Sequence, residues 1–259
     1  MPVAGAALVV VKVLWPEGLN TGYYLDLNSF SRHTAWAHGF MHDYALWLGL
    51  TLLTAEFVVA YAVVWWRRDT RAAVLMFLGG AGSLVALGLN QLVGHAAQEA
   101  RPYDTFPQAL VLVAKANDYA FPSDHAVVAG ALVMSLLLVV RRAKPERRPS
   151  GVRASRWSGS VERPRGVTRA MLAFVVVSAV LGLFLCFARV YVGAHYPGDV
   201  VAGLLLGMVV VPIVSAARPL GYSVARGIER TPLAVLIRRP YASDKGLGNA
   251  AQADRSAAL

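Results

Sequence analysis

The chain has 259 residues, 56% hydrophobic and only 15% charged, with a formal net charge of +10 and a mean hydropathy of +0.50. A soluble domain of this size carries more charge and does not collect its apolar residues into long runs, so the expectation is all-α: a polytopic membrane helical bundle with about five to six transmembrane helices. Basic residues cluster in linkers beside the apolar runs, without aromatic interleaving, which argues against a nucleic-acid partner. The single cysteine, Cys186, cannot form an intrachain disulfide, and without CxxC or paired Cys/His spacing no zinc site and no other cofactor is expected.

In chain order, residues 1–43 read as an N-terminal interfacial segment. Val3 to Trp15 is apolar but falls short of the roughly 20 residues a crossing helix needs, and no cleavage site for a signal peptide follows it. The stretch from Pro16 to Gly22 reads as a break, and Leu25 to Asp43 as an amphipathic stretch at the membrane interface. A membrane-embedded core over 44–216 follows. Its first span runs from Tyr44 to Trp66, ends on Trp65 and Trp66 as an aromatic anchor, and carries Glu56, which is expected to pack between helices. The second span is Ala72 to Leu92, where Gly79 to Ser83 would admit a neighbouring helix closely. Gly94 to Pro122 reads as a polar loop, and the third span runs from Ser123 to Val140. The linker 141–169 is basic and rich in Ser, Pro and Gly, hence flexible. The fourth span is Ala170 to Phe187 and the fifth Gly198 to Ala216. The tail 217–259 is basic and expected to end in disorder.

About 20 of the 25 Lys and Arg residues fall after the first span, in the linker and in the tail. If the spans alternate, these segments share one side, which the positive-inside rule makes cytoplasmic. Arg101, His125, Arg189, His195 and Asp199 then share the outer face.

Those residues form a chemical set. Pro197 suits the first helical turn, so His195 sits at a helix mouth and Asp199 four residues on, on the same face. A carboxylate there can accept the imidazole Nδ1–H, fix its tautomer and leave Nε2 free. Ser123 is a good N-cap after Pro122, which puts His125 in the first turn of its span. Two helix N-termini and two planar guanidiniums, Arg101 and Arg189, suit a phosphate. Singly, each piece has a structural reading: a span-end histidine, an Arg-Pro anchor, an ordinary helix start. Jointly, two histidines, a carboxylate and two arginines suffice for phosphoryl transfer without metal. One imidazole attacks phosphorus while the other protonates the leaving oxygen and then activates water. No Asp/Glu cluster is present to hold magnesium.

The three stretches resemble the type-2 phosphatidic acid phosphatase superfamily, which also includes bacterial acid phosphatases and vanadium haloperoxidases. Its motifs, Lys-x6-Arg-Pro, Pro-Ser-Gly-His and Ser-Arg-x5-His-x3-Asp, appear here as Gly94-x6-Arg101-Pro102, Pro122-Ser123-Asp124-His125 and Ala188-Arg189-x5-His195-x3-Asp199. The resemblance covers roughly Tyr44 to Ala216, and its third motif is highly specific. It implies His195 as nucleophile, Asp199 as its orienting partner and His125 as general acid. Arg101, Ser123 and Arg189, with Asp124 beside them, would form the phosphate-binding set. Gly94 replaces the first-motif lysine, for which His95 or Lys115 could substitute; Ala188 replaces a serine and Asp124 a glycine.

The variant second and third motifs look like the bacterial undecaprenyl pyrophosphate phosphatase branch. The implied activity is hydrolysis of undecaprenyl pyrophosphate to the monophosphate at the outer face of the cytoplasmic membrane, through a phospho-histidine, in lipid-carrier recycling for cell-wall synthesis. The alternatives are a phosphatase for phosphatidic acid, phosphatidylglycerol phosphate or a prenyl-phosphosugar, or a lipid-phosphate binder or transporter without catalysis. A vanadate-dependent haloperoxidase is disfavoured because those relatives are soluble.

Overall fold

A computed structural model describes residues 17–67, 69–142 and 165–228, and these are mostly helical, with no strand among the described residues. The helices are α1 (Glu17–His33), α2 (His38–Asp43), α3 (Gly49–Trp66), α4 (Thr70–Ala97), α5 (Pro102–Thr105), α6 (Asp124–Arg142), α7 (Arg165–Tyr191), α8 (Pro197–Ser215) and α9 (Arg218–Ile228). A five-residue π-helical turn, Tyr44–Leu48, joins α2 to α3. The chain divides into two units, Met1–Arg218 and Pro219–Leu259. Helix α9 belongs almost wholly to the second, and α1 to α8 lie in the first.

Five stretches of the first unit are long and apolar enough to cross a membrane: Ala35–Trp66, Thr70–Thr105, Asp124–Arg141, Arg169–Tyr191 and Pro197–Ser215. Helix α6 is central, packing most extensively on α8 and then on α4 and α7, while α3 packs on α7. Small residues permit this. A Cβ on Gly130 would collide with the Leu204 backbone of α8, and one on Gly207 with the Val127 backbone of α6, so the two backbones touch where side chains would hold them apart. The Gly79–Ser83 run serves as expected: Gly79 faces Ser135 of α6, and Gly82 faces Val211 of α8. Large apolar side chains point outward instead, among them Val58, Phe77, Leu84, Val180, Leu205 and Ile213, as a lipid-facing surface requires. Glu56 accepts a 2.5 Å hydrogen bond from Ser178 Oγ, joining α3 to α7, in line with interhelical packing.

Three boundaries differ from expectation. Helix α1 runs through Gly18 and Gly22, where a break was expected. Its polar residues dock it on neighbouring loops, and tertiary contact outweighs local glycine. Asn20 Oδ1 accepts from Gly198 N at 2.8 Å, Asn28 exchanges two hydrogen bonds with Leu110, and buried Tyr24 meets the Tyr196 ring edge-on at 5.3 Å. Helix α4 continues past Leu92 to a left-handed C-cap at Gln98, φ 51°, which carries Gly94 and His95 onto the helix. Helix α7 continues past Phe187 to Tyr191, which places Arg189 in its last turn. Val3 to Trp15, most of the basic linker and the tail beyond Ile228 lie outside the described residues.

Candidate active site

The site is built where three helix ends meet. After α7 the chain turns at Gly193, whose φ of +81° is favourable only for glycine, and whose α-carbon faces the Leu110 carbonyl too closely for a side chain. Tyr196 then caps α8 with extended backbone, ψ 157°, and Pro197 takes the first helical position. Asp199 Oδ2 reaches back to accept from Tyr196 N at 2.8 Å. The start of α6 is tied to this one: Ser123 N donates to the Asp199 carbonyl at 3.1 Å, while the Ser123 carbonyl accepts from Val127 N.

His195 lies on the short connection between α7 and α8 and is 3% exposed. Its Nδ1 is 2.8 Å from the Ala120 carbonyl oxygen; a carbonyl can only accept, so Nδ1 carries the proton and Nε2 holds a lone pair. Both arginines face that lone pair. Arg189 Nη2 lies 3.1 Å from Nε2 and Arg101 Nη1 lies 3.4 Å from it, each arginine only 7% exposed. Burial first, then the positive charges of Arg189 and Arg101, hold the His195 imidazole well below its usual range, against the Ala120 hydrogen bond that pulls the other way. The ring is therefore neutral at neutral pH, which a nitrogen nucleophile must be.

A polar cavity of about 700 Å³ opens over this nitrogen, lined by Arg101, His125, Arg189 and His195 together with Asn90, Gln91, Gly94, His95, Tyr103, Asp118 and Asp124. The two histidines thus share one cavity. His125 stands in the first turn of α6, half-buried, with Nε2 3.4 Å from the Leu46 carbonyl.

Other expected residues take different places. Asp199 is fully buried, and its Oδ2 lies 3.4 Å from His195 Nδ1, farther than the Ala120 carbonyl. The backbone carbonyl is the nearer acceptor, and the carboxylate sits behind it as a second, weaker one. Ser123 does not line the cavity: its N–H is spent on Asp199 and its Oγ is buried with no partner among the described residues. Asp124 does line the cavity, but its carboxylate accepts from Asn90 Nδ2 at 2.6 Å and Gln91 Nε2 at 2.9 Å. As an acceptor already occupied, that side chain has no donor to offer a phosphate. Gly94 faces the cavity in place of the motif's lysine, and a Cβ there would stand 3.2 Å from the Phe121 carbonyl. Of the two possible replacements, His95 lines the cavity and Lys115 does not; the Lys115 ammonium lies over the Tyr103 ring, 5.6 Å from its centre.

Sequence reasoning missed three supports. Ala120 offers only a backbone carbonyl, which no residue type announces. The π-helical turn directs the Ala45 carbonyl toward Arg189 Nη1 at 3.3 Å and the Leu46 carbonyl toward His125; such turns often mark functional positions, but Tyr44–Leu48 reads as plain apolar sequence. Asn90 had a signal, a carboxamide inside an apolar run, and it bridges α4 to the Pro122 carbonyl at 3.0 Å.

The sequence profile of the PAP2 superfamily matches residues 44–220. The undecaprenyl-diphosphatase BcrC of Bacillus subtilis is 25% identical over 178 residues, 67% of this chain and 76% of that protein. An undecaprenyl-diphosphatase of Sulfolobus acidocaldarius is 27% identical over 124 residues, 48% of this chain and 46% of that protein. Among solved structures, a transmembrane PAP2-type phosphatidylglycerolphosphate phosphatase from Bacillus subtilis superposes with a TM-score of 0.54 at 16% identity, covering 86% of this chain and 94% of that one.

Proposed function

The chain belongs to the PAP2 superfamily, and from that premise we propose that it hydrolyses a polyprenyl pyrophosphate, undecaprenyl pyrophosphate foremost, to the monophosphate. The observation that carries this reading is the His195 Nε2 lone pair, set between two buried guanidiniums in a cavity that also holds His125. The names of the diphosphatase relatives support the substrate class. The distribution of Lys and Arg supports a site on the outer face of the cytoplasmic membrane. There the prenyl chain stays in the bilayer and only the headgroup enters the cavity.

The reaction proceeds in two steps. The terminal phosphoryl group docks between Arg101 and Arg189, whose N–H groups leave Nε2 for the phosphate oxygens. Nε2 attacks phosphorus; the P–Nε2 bond forms as the bridging P–O bond breaks, and the lipid monophosphate departs, taking a proton from His125. The imidazolium character that develops on the phosphorylated ring is spread through Nδ1–H to the Ala120 carbonyl, with the buried Asp199 carboxylate behind it. Water then attacks the phospho-histidine with His125 accepting its proton, the P–N bond breaks, and phosphate and neutral His195 are regenerated. The guanidiniums stabilise charge on the equatorial oxygens in both steps.

The test is release of phosphate from polyprenyl pyrophosphate by purified protein in EDTA, with His195→Ala alongside. Turnover by the wild type and none by the variant supports the reading. A strict metal requirement, or equal rates, would overturn it.

A further inference from the structure

We propose that Asp118 is a positioning residue for the reaction, holding the Arg101 guanidinium in the orientation that presents it to the transferred phosphoryl group. Arg101 is bonded on two sides. Its Nε donates to Asp118 Oδ1 at 2.7 Å and its Nη1 to the Ala194 carbonyl at 2.9 Å. With both fixed, the guanidinium plane cannot rotate, Nη1 also reaches His195 Nε2, and Nη2 makes no hydrogen bond among the described residues. A planar fork pinned at Nε and Nη1 has one way left to face the cavity.

Asp118 differs from an ordinary surface ion-pair partner, which contributes little. It is 57% exposed, but the side chain it grips is 8% exposed, and its own backbone is held on both sides. Two residues before it, Ala116 exchanges two hydrogen bonds with Tyr103 Oη, N–H donating at 2.9 Å and carbonyl accepting at 3.1 Å. Two residues after it, Ala120 N donates to the Glu99 carbonyl at 2.9 Å. Tyr103 and Glu99 flank Arg101 in the chain, so the segment bearing Asp118 is clamped to the segment bearing its target.

The inference rests on the reading of Arg101 as a phosphate ligand. Its test uses the full-length protein in detergent with Asp118→Ala, Asp118→Asn and, as a control on the same loop, Lys115→Ala. Two quantities are read: kcat and KM on polyprenyl pyrophosphate, and affinity for orthovanadate or inorganic phosphate from the shift in melting temperature. Misplacing one catalytic donor lowers kcat/KM by about 10- to 100-fold. That is the loss expected for Asp118→Ala, carried mainly by kcat, with vanadate affinity falling in parallel. Asp118→Asn keeps an acceptor oxygen at Arg101 Nε and should recover most of the loss. An Asp118→Ala protein that matches wild type, or an Asp118→Asn protein as impaired as the alanine variant, overturns the proposal; the latter result means that charge, not orientation, is what Asp118 supplies. If the wild type turns over no lipid pyrophosphate, the substrate reading fails by itself. Asp118 is then judged on phosphate and vanadate binding alone: weakened by alanine and restored by asparagine upholds the proposal, and unchanged binding overturns it.

Discussion

Replacing His125 by alanine should separate the two chemical steps and, with them, the two classes of lipid substrate. The first step expels either a lipid monophosphate, from a pyrophosphate, or an alkoxide, from a phosphate monoester. A phosphate oxygen loses its last proton near pH ~6, whereas an alkoxide is nearly as basic as hydroxide, from water of pKa about 15.7. Only the second leaving group strongly needs the proton that His125 supplies, and general acid catalysis contributes roughly 10²- to 10⁴-fold where it is needed. The structure makes the variant clean. His125 is half-buried and its one hydrogen bond, to Leu46, is a long 3.4 Å, so truncation orphans little and should cost no more than about 1 kcal/mol of stability. The ratio kcat/KM reports the chain of steps up to release of the lipid product, so in His125→Ala it should fall by about 10-fold or less on polyprenyl pyrophosphate, against about 10³-fold on a phosphatidic acid or phosphatidylglycerol phosphate. Water attack on the phospho-histidine needs His125 whatever the lipid, so kcat should fall for both. The assay is phosphate release over a range of lipid concentration, with melting temperature as the folding control. Equal losses in kcat/KM for the two classes would refute the assignment of His125 as leaving-group acid.

Arg189→Lys should lower kcat/KM by about 10²-fold, near the loss for removing a preorganised donor, because an ammonium cannot reach Nε2 and the Ala45 carbonyl together; a near-wild-type rate would count against the phosphate role. The acid limb of kcat/KM should lie below the imidazole's ordinary pKa of about 6.5, since burial and the two arginines depress His195. Arg189→Gln removes one of those charges and should move that limb upward; a limb that stays in place, or moves down, contradicts the electrostatic account. Gly207→Leu should destabilise the bundle by about 1–3 kcal/mol or more by prising α6 from α8, read as a lower melting temperature in detergent; an unchanged value would mean that the backbones do not meet there.

Much of the fold was legible in the sequence because a bilayer leaves few options. Long apolar runs must be helices, so the five spans fall near their expected places, and each deviation has a polar cause. The end of α4 carries Gly94 and His95, which face a cavity rather than lipid, so composition suggested a loop where hydrogen bonding continues the helix. Helix α1 was hidden by Gly18 and Gly22 because its stability comes from docking through Asn20, Tyr24 and Asn28. The candidate set, His195, His125, Arg101 and Arg189, was picked out by spacing, and the cavity unites all four. The supports around them were not. The atoms that hold His195, Arg189 and His125 are largely backbone carbonyls, of Ala120, Ala45 and Leu46, and a backbone atom leaves no mark in composition. Ser123 and Asp124 show the converse limit. Their residue types suit a phosphate site, but the fold spends the Ser123 N–H on Asp199 and the Asp124 carboxylate on Asn90 and Gln91.

The proposed chemistry stands or falls on a bond between phosphorus and one ring nitrogen. Polyprenyl pyrophosphate labelled in its terminal phosphate, mixed with protein and quenched rapidly in alkali, should leave an acid-labile label that peptide mapping places on His195. No label on the protein, or label on His125 or any other residue, would contradict it.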